Sequence, residues 1–506
     1  MSKMTRLREY AATHGIGYTL RRIGEKAGQV VFGTWDREWK REQPDEEELE
    51  RQRRNPPQAG LISIVIPVYN TKERYLRELA ESLKAQTYER WEAILYDGKS
   101  DRADTRETLA QIAREDARFR VIYGEQNLGI AGNTNEAISL AHGGYTALCD
   151  HDDLLTPDAI WRMAEAIERD APDLLYSDED MITQNGRRHM DPHRKPGYQP
   201  ETLAADNYMS HLGVIRTETL RACGGLKAGY EGSQDHELYL RICRKTDRIT
   251  HVPYILYHWR KVGTSLSRQH LDQCLWAGCR ANEEVSDIPV IAIPVEKKIR
   301  LWYEIPRGAT VEAVIFSSTE EACREALADL EIQAPWPNLR ATLAVTSLEG
   351  LEETLNQAAA ESEGDYLLFL DAASMVETRH FFREMLMYAQ KDGVGGVTPV
   401  MVDRKRRITF GGWVNGKNDQ AGLRNGAGGP RDRMNKVHNV DEVSPACMMV
   451  RRDQFVPFGE TDASKRCVYT PHAVVLCEDR EVINRVWKQA GIQTDVRYIQ
   501  PDRLQS

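Results

Sequence analysis

The sequence predicts an α/β protein built on a mostly parallel, doubly wound sheet. Three observations predict it. Residues 61–69, LISIVIPVY, are almost continuously apolar and β-branched, as suits a strand buried on both faces. Short runs of this kind alternate with segments of helical spacing from residue 61 to about 170. Polar residues collect where three of the strands end, and in open α/β sheets that edge is where ligands bind.

The elements follow in order. After the first strand, Leu76, Leu79 and Leu83 share one helical face. A second strand, EAILY (92–96), leads to a helix carrying Leu109, Ile112 and Ala113. A third strand, RVIY (120–123), runs through a Gly- and Asn-rich turn into a helix at 131–141. A fourth strand, YTALC (145–149), precedes a helix with Ile160, Met163, Ala164 and Ile167 at i, i+3, i+4, i+7 spacing. The strand ends carry Tyr69 and Asn70, then Asp97, then Asp150, His151, Asp152 and Asp153.

Composition narrows the class. The chain has 506 residues, which at roughly 100–200 residues per domain predicts two or three domains. With 41% hydrophobic and 28% charged residues it has the profile of a soluble protein with ample core. A net charge of −10 argues against nucleic acid as a partner, since such proteins usually carry a basic footprint. The nine cysteines show no CxxC pair, and reduced thiols in a cytoplasmic protein are expected. The opening residues lack an apolar signal core, and no stretch approaches the roughly 18 apolar residues of a membrane helix.

Residues 1–60 read as a helical extension. Up to Thr34 it holds six basic residues against two acidic, with an apolar set of Ile16, Tyr18, Leu20, Ile23, Val30 and Val31. Such a segment suits peripheral contact with an anionic membrane surface, but packing on the main domain is the stronger expectation. Residues 45–58 read as a charged helix ended by Pro56-Pro57.

Three aspartates within four residues repel one another, and burying them is costly unless a cation is present. Oxygen ligands suit Mg²⁺ or Mn²⁺, and Mg²⁺ is commonly shared between carboxylates and phosphate oxygens. The chain has no P-loop and no GxGxxG, so phosphates would be held through the metal. A solvated acidic loop explains the cluster alone equally well.

The neighbouring residues tip the balance. The motifs IPVYN (66–70), YDGKSD (96–101), NLGIAGNTNEAI (127–138) and DHDDLLTPDAI (150–160) are followed by YSDED (176–180) and RKPGYQPETL (194–203). GGLKAGYEGSQDHELYLR (224–241) and ITHVPYILYHWR (249–260) complete the series. In this order and spacing the chain resembles the inverting glycosyltransferases of family two, which have the GT-A fold. The resemblance implies a catalytic domain at 61–290 and transfer from a UDP- or dTDP-sugar to a glycan or lipid-linked glycan of the cell surface. It implies Mn²⁺ or Mg²⁺ as cofactor. It also assigns roles. Asp235 is the general base. Pro67, Tyr69, Asn70, Asp97 and Asp150 bind the donor. Asp152 and His258 hold the metal, and Trp259, Asp178 and Asp180 are candidates for the acceptor side. The chain departs from the family at Tyr96 and Lys99, where Asp and Ser are usual, and at Gln234, where Glu often precedes the base. Of the other histidines, His151, His211 and His251 are expected to be structural.

Residues 291–506 echo the first domain. GDYLLFLDAASMVETRHFFREML (364–386) parallels 143–165, VEAVIFSST (311–319) stands for the first strand, and EDREVINRVWKQAG (478–491) parallels 234–247. The cluster has shrunk to Asp371-Ala372-Ala373-Ser374, so this copy is expected to be noncatalytic. The stretch 411–433 reads as a long loop. Two rival readings fit the sequence less well. A noncatalytic glycan- or nucleotide-binding scaffold would not need the intact Asp97, Asp150, Asp152 and Asp235. A nucleotidyltransferase would need a Gly-rich, basic loop where PVYNTKERY (67–75) stands.

Overall fold

The computed structural model describes residues 34–262, 270–415, 417–418, 421–427 and 430–478. The basic segment before Thr34 and most of the segment 478–491 lie outside the described residues. Among the described residues no helix is long and apolar enough to cross a membrane.

Two sheets carry the fold. The first contains β1 (Ile62–Val68), β2 (Trp91–Asp97), β3 (Phe119–Tyr123), β4 (Tyr145–Leu148), β5 (Leu154–Leu155), β6 (Leu174–Ile182), β7 (His189–His193), β8 (Gly213–Arg216) and β9 (Ile249–Arg260). Their order is β3-β2-β1-β4-β8-β6-β9-β5, with β7 on the edge of β6. The first four strands are parallel, as the alternation predicts. Beyond β4 the sheet is mixed, because β8 inserts antiparallel between β4 and β6.

Every residue of β1 and β2 is buried. Their polar members are satisfied: the Ser63 hydroxyl donates to Glu92 Oε1 at 2.7 Å, and Arg120 Nη1 donates to Glu92 Oε2 at 2.7 Å. The helices α3 (Glu73–Lys84), α4 (Ala103–Glu115), α5 (Gly129–Ser139) and α6 (Ala159–Asp170) bury the faces the spacing identifies. The described part of the extension, α1 (Thr34–Glu42) and α2 (Glu46–Arg54), packs on this unit. Asp45 caps α2 by accepting from Glu48 N at 2.9 Å. On its inner face Gln52 accepts from the Thr87 hydroxyl at 2.8 Å, and the Gln52 carbonyl accepts from Trp161 Nε1 at 3.2 Å.

The remaining helices of this unit are α7 (Pro200–Ala205), α8 (Thr217–Ala222), α9 (Gln234–Cys243) and α10 (Leu271–Val285). An antiparallel hairpin, Val290–Val295 with Lys298–Tyr303, leads to the second sheet. Its strands lie in the order 339–345, 311–317, 366–371, 447–451, 394–402, 466–476, 375–376. That order, with its parallel and antiparallel pairings, repeats β2-β1-β4-β8-β6-β9-β5. A counterpart of β3 is missing among the described strands.

The two units meet through a buried charge. Glu201, at the start of α7, is 2% exposed and accepts from Arg466 Nε at 3.0 Å, Arg466 Nη2 at 2.9 Å and Asn439 Nδ2 at 2.8 Å. Burial alone would raise the Glu201 carboxyl, but Arg466 and Lys391 outweigh it and hold it at about 2. A depressed carboxyl stabilises the fold above its unfolded value and loses that effect as pH falls through the folded one. Glu201→Gln is therefore expected to cost about 3 kcal/mol near neutral pH. In denaturant melts at a series of pH values, the gap to wild type should close between pH 4.5 and about 2.

Candidate active site

A cavity of about 970 Å³ opens at the carboxyl edge of the first sheet. One wall is the end of β1 with Pro67, Tyr69 and Asn70, and the floor carries Asp150, His151 and Asp152. The far wall is Asn207, Ser210, His211, Asp235 and Trp259, and Lys297 and Ile299 of the hairpin extend it.

The loop after β2 is built around Asn70, which has φ +51°. Its Oδ1 accepts from Asp101 N at 2.9 Å and Arg102 N at 3.2 Å, and its own N–H donates to Ser100 Oγ at 2.8 Å. Asp97 is wholly buried beneath it and accepts from Ser100 N at 3.0 Å. A Cβ at Gly98 would lie 2.3 Å from Asn133 Nδ2, so any larger residue there would have to displace that side chain. Of the three departures from the family pattern, the two at this loop differ: Tyr96 lies in the apolar core and Lys99 is exposed.

The aspartate cluster divides. Asp153 is buried and does not line the cavity. It accepts from Tyr257 Oη at 2.7 Å and from Arg260 N at 2.6 Å. Asp150 and Asp152 face the cavity, with His211 Nε2 at 3.6 Å from Asp150 and His151 Nδ1 at 3.9 Å from Asp152. Burial raises the Asp152 carboxyl, and the charge of Asp150 adds to that while His151 opposes it. Burial, then Asp152 and Asp150, push Asp153 well up. A cluster that resists its own ionisation through proximity and burial fits a divalent cation, and its all-oxygen donors suit Mg²⁺ or Mn²⁺.

Asp235 sits in the first turn of α9, where the helix dipole favours a carboxylate. Its Oδ2 accepts from Asn207 Nδ2 at 2.9 Å. Five buried atoms at or beneath the cavity have no hydrogen-bond partner among the described residues: Thr71 Oγ1, Asp97 Oδ2, His151 Nδ1, Asn207 Oδ1 and His211 Nδ1. Orphaned polar atoms gathered at one cavity mark a ligand site, because each is expensive to leave unpaired.

Other residues expected at the site lie elsewhere. Tyr257 and Trp259 point to the cavity side of β9, so His258 between them points to the other face. There His258 Nδ1 hydrogen-bonds Asp180 Oδ1 at 2.6 Å, and the ring lines a separate cavity with Trp39 and His189. Asp180 Oδ2 is shared by His189 Nδ1 at 2.9 Å and Trp35 Nε1 at 2.9 Å. Asp180, His189 and His258 offer ligand atoms within 4.8 Å of one another, and the Nδ1 of each histidine is hydrogen-bonded to Asp180. Asp178 is buried and accepts from Lys195 N at 2.8 Å, with His251 Nε2 at 2.8 Å. Neither Asp178 nor Asp180 lines the main cavity, whereas Trp259 does. His251 is tied into the core as expected, whereas His151 and His211 line the cavity. Asn207 escaped the sequence reading; its partner lies 28 residues away and no motif marks it.

Residues 63–224 match the family model described as Glycosyl transferase family 2. The uncharacterized protein y4gI of Sinorhizobium fredii is 31% identical over 83% of this chain and 51% of its own length. The O-antigen biosynthesis protein RfbC of Myxococcus xanthus is 28% identical over 79% of this chain and 34% of its own. Chondroitin synthase of Escherichia coli is 27% identical over 42% of this chain and 30% of its own. The chain thus spans about half the length of the first of these relatives and about a third of the second.

The geometry of His258 makes a prediction. His258→Gln should lower the melting temperature by a few degrees, since Asp180 loses a charge-assisted partner worth about 1–3 kcal/mol. Mn²⁺ affinity, followed by electron paramagnetic resonance titration, should stay within about twofold. A tenfold loss would return His258 to the ligands of the main cavity.

Proposed function

The chain carries a glycosyltransferase family 2 domain, and we propose that this domain moves a sugar, with inversion, from a UDP- or dTDP-sugar to a growing surface glycan. The observation that carries the reading is the convergence of Asp150, Asp152 and Asp235 on one cavity whose buried rim atoms lack partners. The names of two relatives, an O-antigen biosynthesis protein and a chondroitin synthase, support a polysaccharide as the product.

Roles follow from position. The loop of Tyr69, Asn70 and Asp97 is suited to the nucleotide: Asp97 Oδ2, 4.0 Å from Arg106 Nε, is a buried acceptor with no hydrogen bond, and a uracil or thymine ring offers an N–H. Asp150 and Asp152 would hold Mn²⁺ or Mg²⁺, which when bound neutralises charge on the departing diphosphate. Asp235 removes the proton from the attacking hydroxyl as its oxygen bonds to the anomeric carbon and the bond to the diphosphate breaks. Trp259 supplies an apolar wall suited to a sugar face.

The second unit is assigned no chemistry of its own. At the strand end matching Asp150 stands Asp371, and Ala373 N donates to its Oδ1 at 3.2 Å. Ala372 and Ala373 replace the rest of the cluster. The domain limits 61–290 and 291–506 are adopted on this basis.

The test is differential scanning fluorimetry with UDP, dTDP, GDP and CDP, with and without Mn²⁺, on wild type and Asp152→Ala. At a hundredfold excess over Kd a native-state ligand adds about 2.7 kcal/mol, a shift of several degrees. UDP or dTDP should stabilise wild type only with Mn²⁺, and Asp152→Ala should lose the shift. Silence with every nucleotide would overturn the donor-site assignment.

A further inference from the structure

We infer that Asn207 is a positioning residue for Asp235, and that the second unit sets its place through α7. The inference rests on the transferase reading and gives the noncatalytic unit a part in the reaction.

Asn207 stands two residues beyond the end of α7, after Asp206. Its Nδ2 donates to Asp235 Oδ2 at 2.9 Å. A carboxylate oxygen only accepts, so the amide must turn its nitrogen to Asp235 and its oxygen away. That oxygen, Asn207 Oδ1, is buried without a partner among the described residues, on a side chain that lines the cavity. One amide thus secures one oxygen of the base, leaves Asp235 Oδ1 for the incoming proton, and keeps an acceptor for a sugar hydroxyl.

α7 is held from both ends by the second unit. At its start Glu201 is gripped by Arg466 and Asn439, and Asn439 N donates to Thr202 Oγ1 at 3.2 Å. At its end Lys436 pairs with Asp206, the residue before Asn207. Between them, the Leu203 carbonyl hydrogen-bonds His236 Nε2 at 2.7 Å, and His236 neighbours Asp235 in α9. The Ala204 carbonyl accepts from Asn282 Nδ2 of α10 at 3.0 Å. A shift of the second unit therefore reaches Asn207 through one short, fully tethered helix.

The experiment uses the full chain. Nucleoside diphosphate release is measured with Mn²⁺ and a panel of surface-glycan oligosaccharides as acceptors, on whichever of a panel of UDP- and dTDP-sugars wild type turns over fastest, and the Kd of the matching free nucleoside diphosphate with Mn²⁺ is measured by calorimetry. Asn207→Ala should lower kcat about tenfold or more while that Kd stays within about twofold. Lys436→Met should lower kcat less, Lys436→Arg should restore it, and Asn207→Ala with Lys436→Met should be no worse than Asn207→Ala alone. An unchanged kcat in Asn207→Ala overturns the positioning role. A Lys436→Met protein with a lower melting temperature but wild-type kcat, or a multiplicative double variant, reduces the second unit to a structural support. A wild type that releases no nucleoside diphosphate from any sugar nucleotide overturns the transferase reading and this inference together.

Discussion

The floor of the cavity depends on Asp153, a carboxylate removed from water and therefore obliged to find donors. Tyr257 Oη and Arg260 N supply them, both from β9. Tyr257 also accepts from Asp150 N at 3.1 Å, and Arg260 Nε donates to the Asp152 carbonyl at 2.6 Å. Arg260 is itself buried, paired with Glu78 at 2.8 Å. The loop that presents Asp150 and Asp152 is thus bound to a strand more than 100 residues later. Two like charges can face one cavity because the third residue of the cluster has been made an anchor.

The same demand explains β6. Asp178, Glu179 and Asp180 are consecutive and all buried. Each is answered on its own side: Asp178 by His251, Glu179 by Lys195 and His193, Asp180 by His189 and His258. Glu179 is held well below the usual carboxylate range, because Lys195, ahead of His193 and His211, outweighs the burial that would raise it. A run of acids in a family motif resembles a substrate contact, but here these side chains fasten β6 to β7, to β9 and, through Trp35, to α1.

The second sheet repeats the topology of the first without repeating its acidic cluster. Strand order and pairing sense recur while the acidic loop has shortened to one carboxylate. Apolar strands of the right length suffice to rebuild a sheet, since burial is roughly proportional to area and indifferent to residue identity. A metal site has no such tolerance, because it needs particular oxygens at particular places. The repeat was legible in sequence because its strand-and-helix rhythm persists; the contacts through Glu201 and Asp206 were not, because single ion pairs carry no periodicity.

By itself the sequence determined the strand and helix order of the first unit, the repeat, and the collection of Asp97, Asp150 and Asp152 at one sheet edge. The physical reason is local: hydrophobic period sets each element, and in a parallel βα succession every strand ends on the same side. Tertiary structure alone decided which polar side chains face the cavity. His258 and Trp259 are neighbours in sequence and lie on opposite faces of β9, and both faces are covered by other elements, so no apolar–polar alternation told them apart. Asn207 meets Asp235 only because α7, held by residues more than 200 positions later, delivers it there. Contacts of that range are set by packing, and packing is a property of the folded chain.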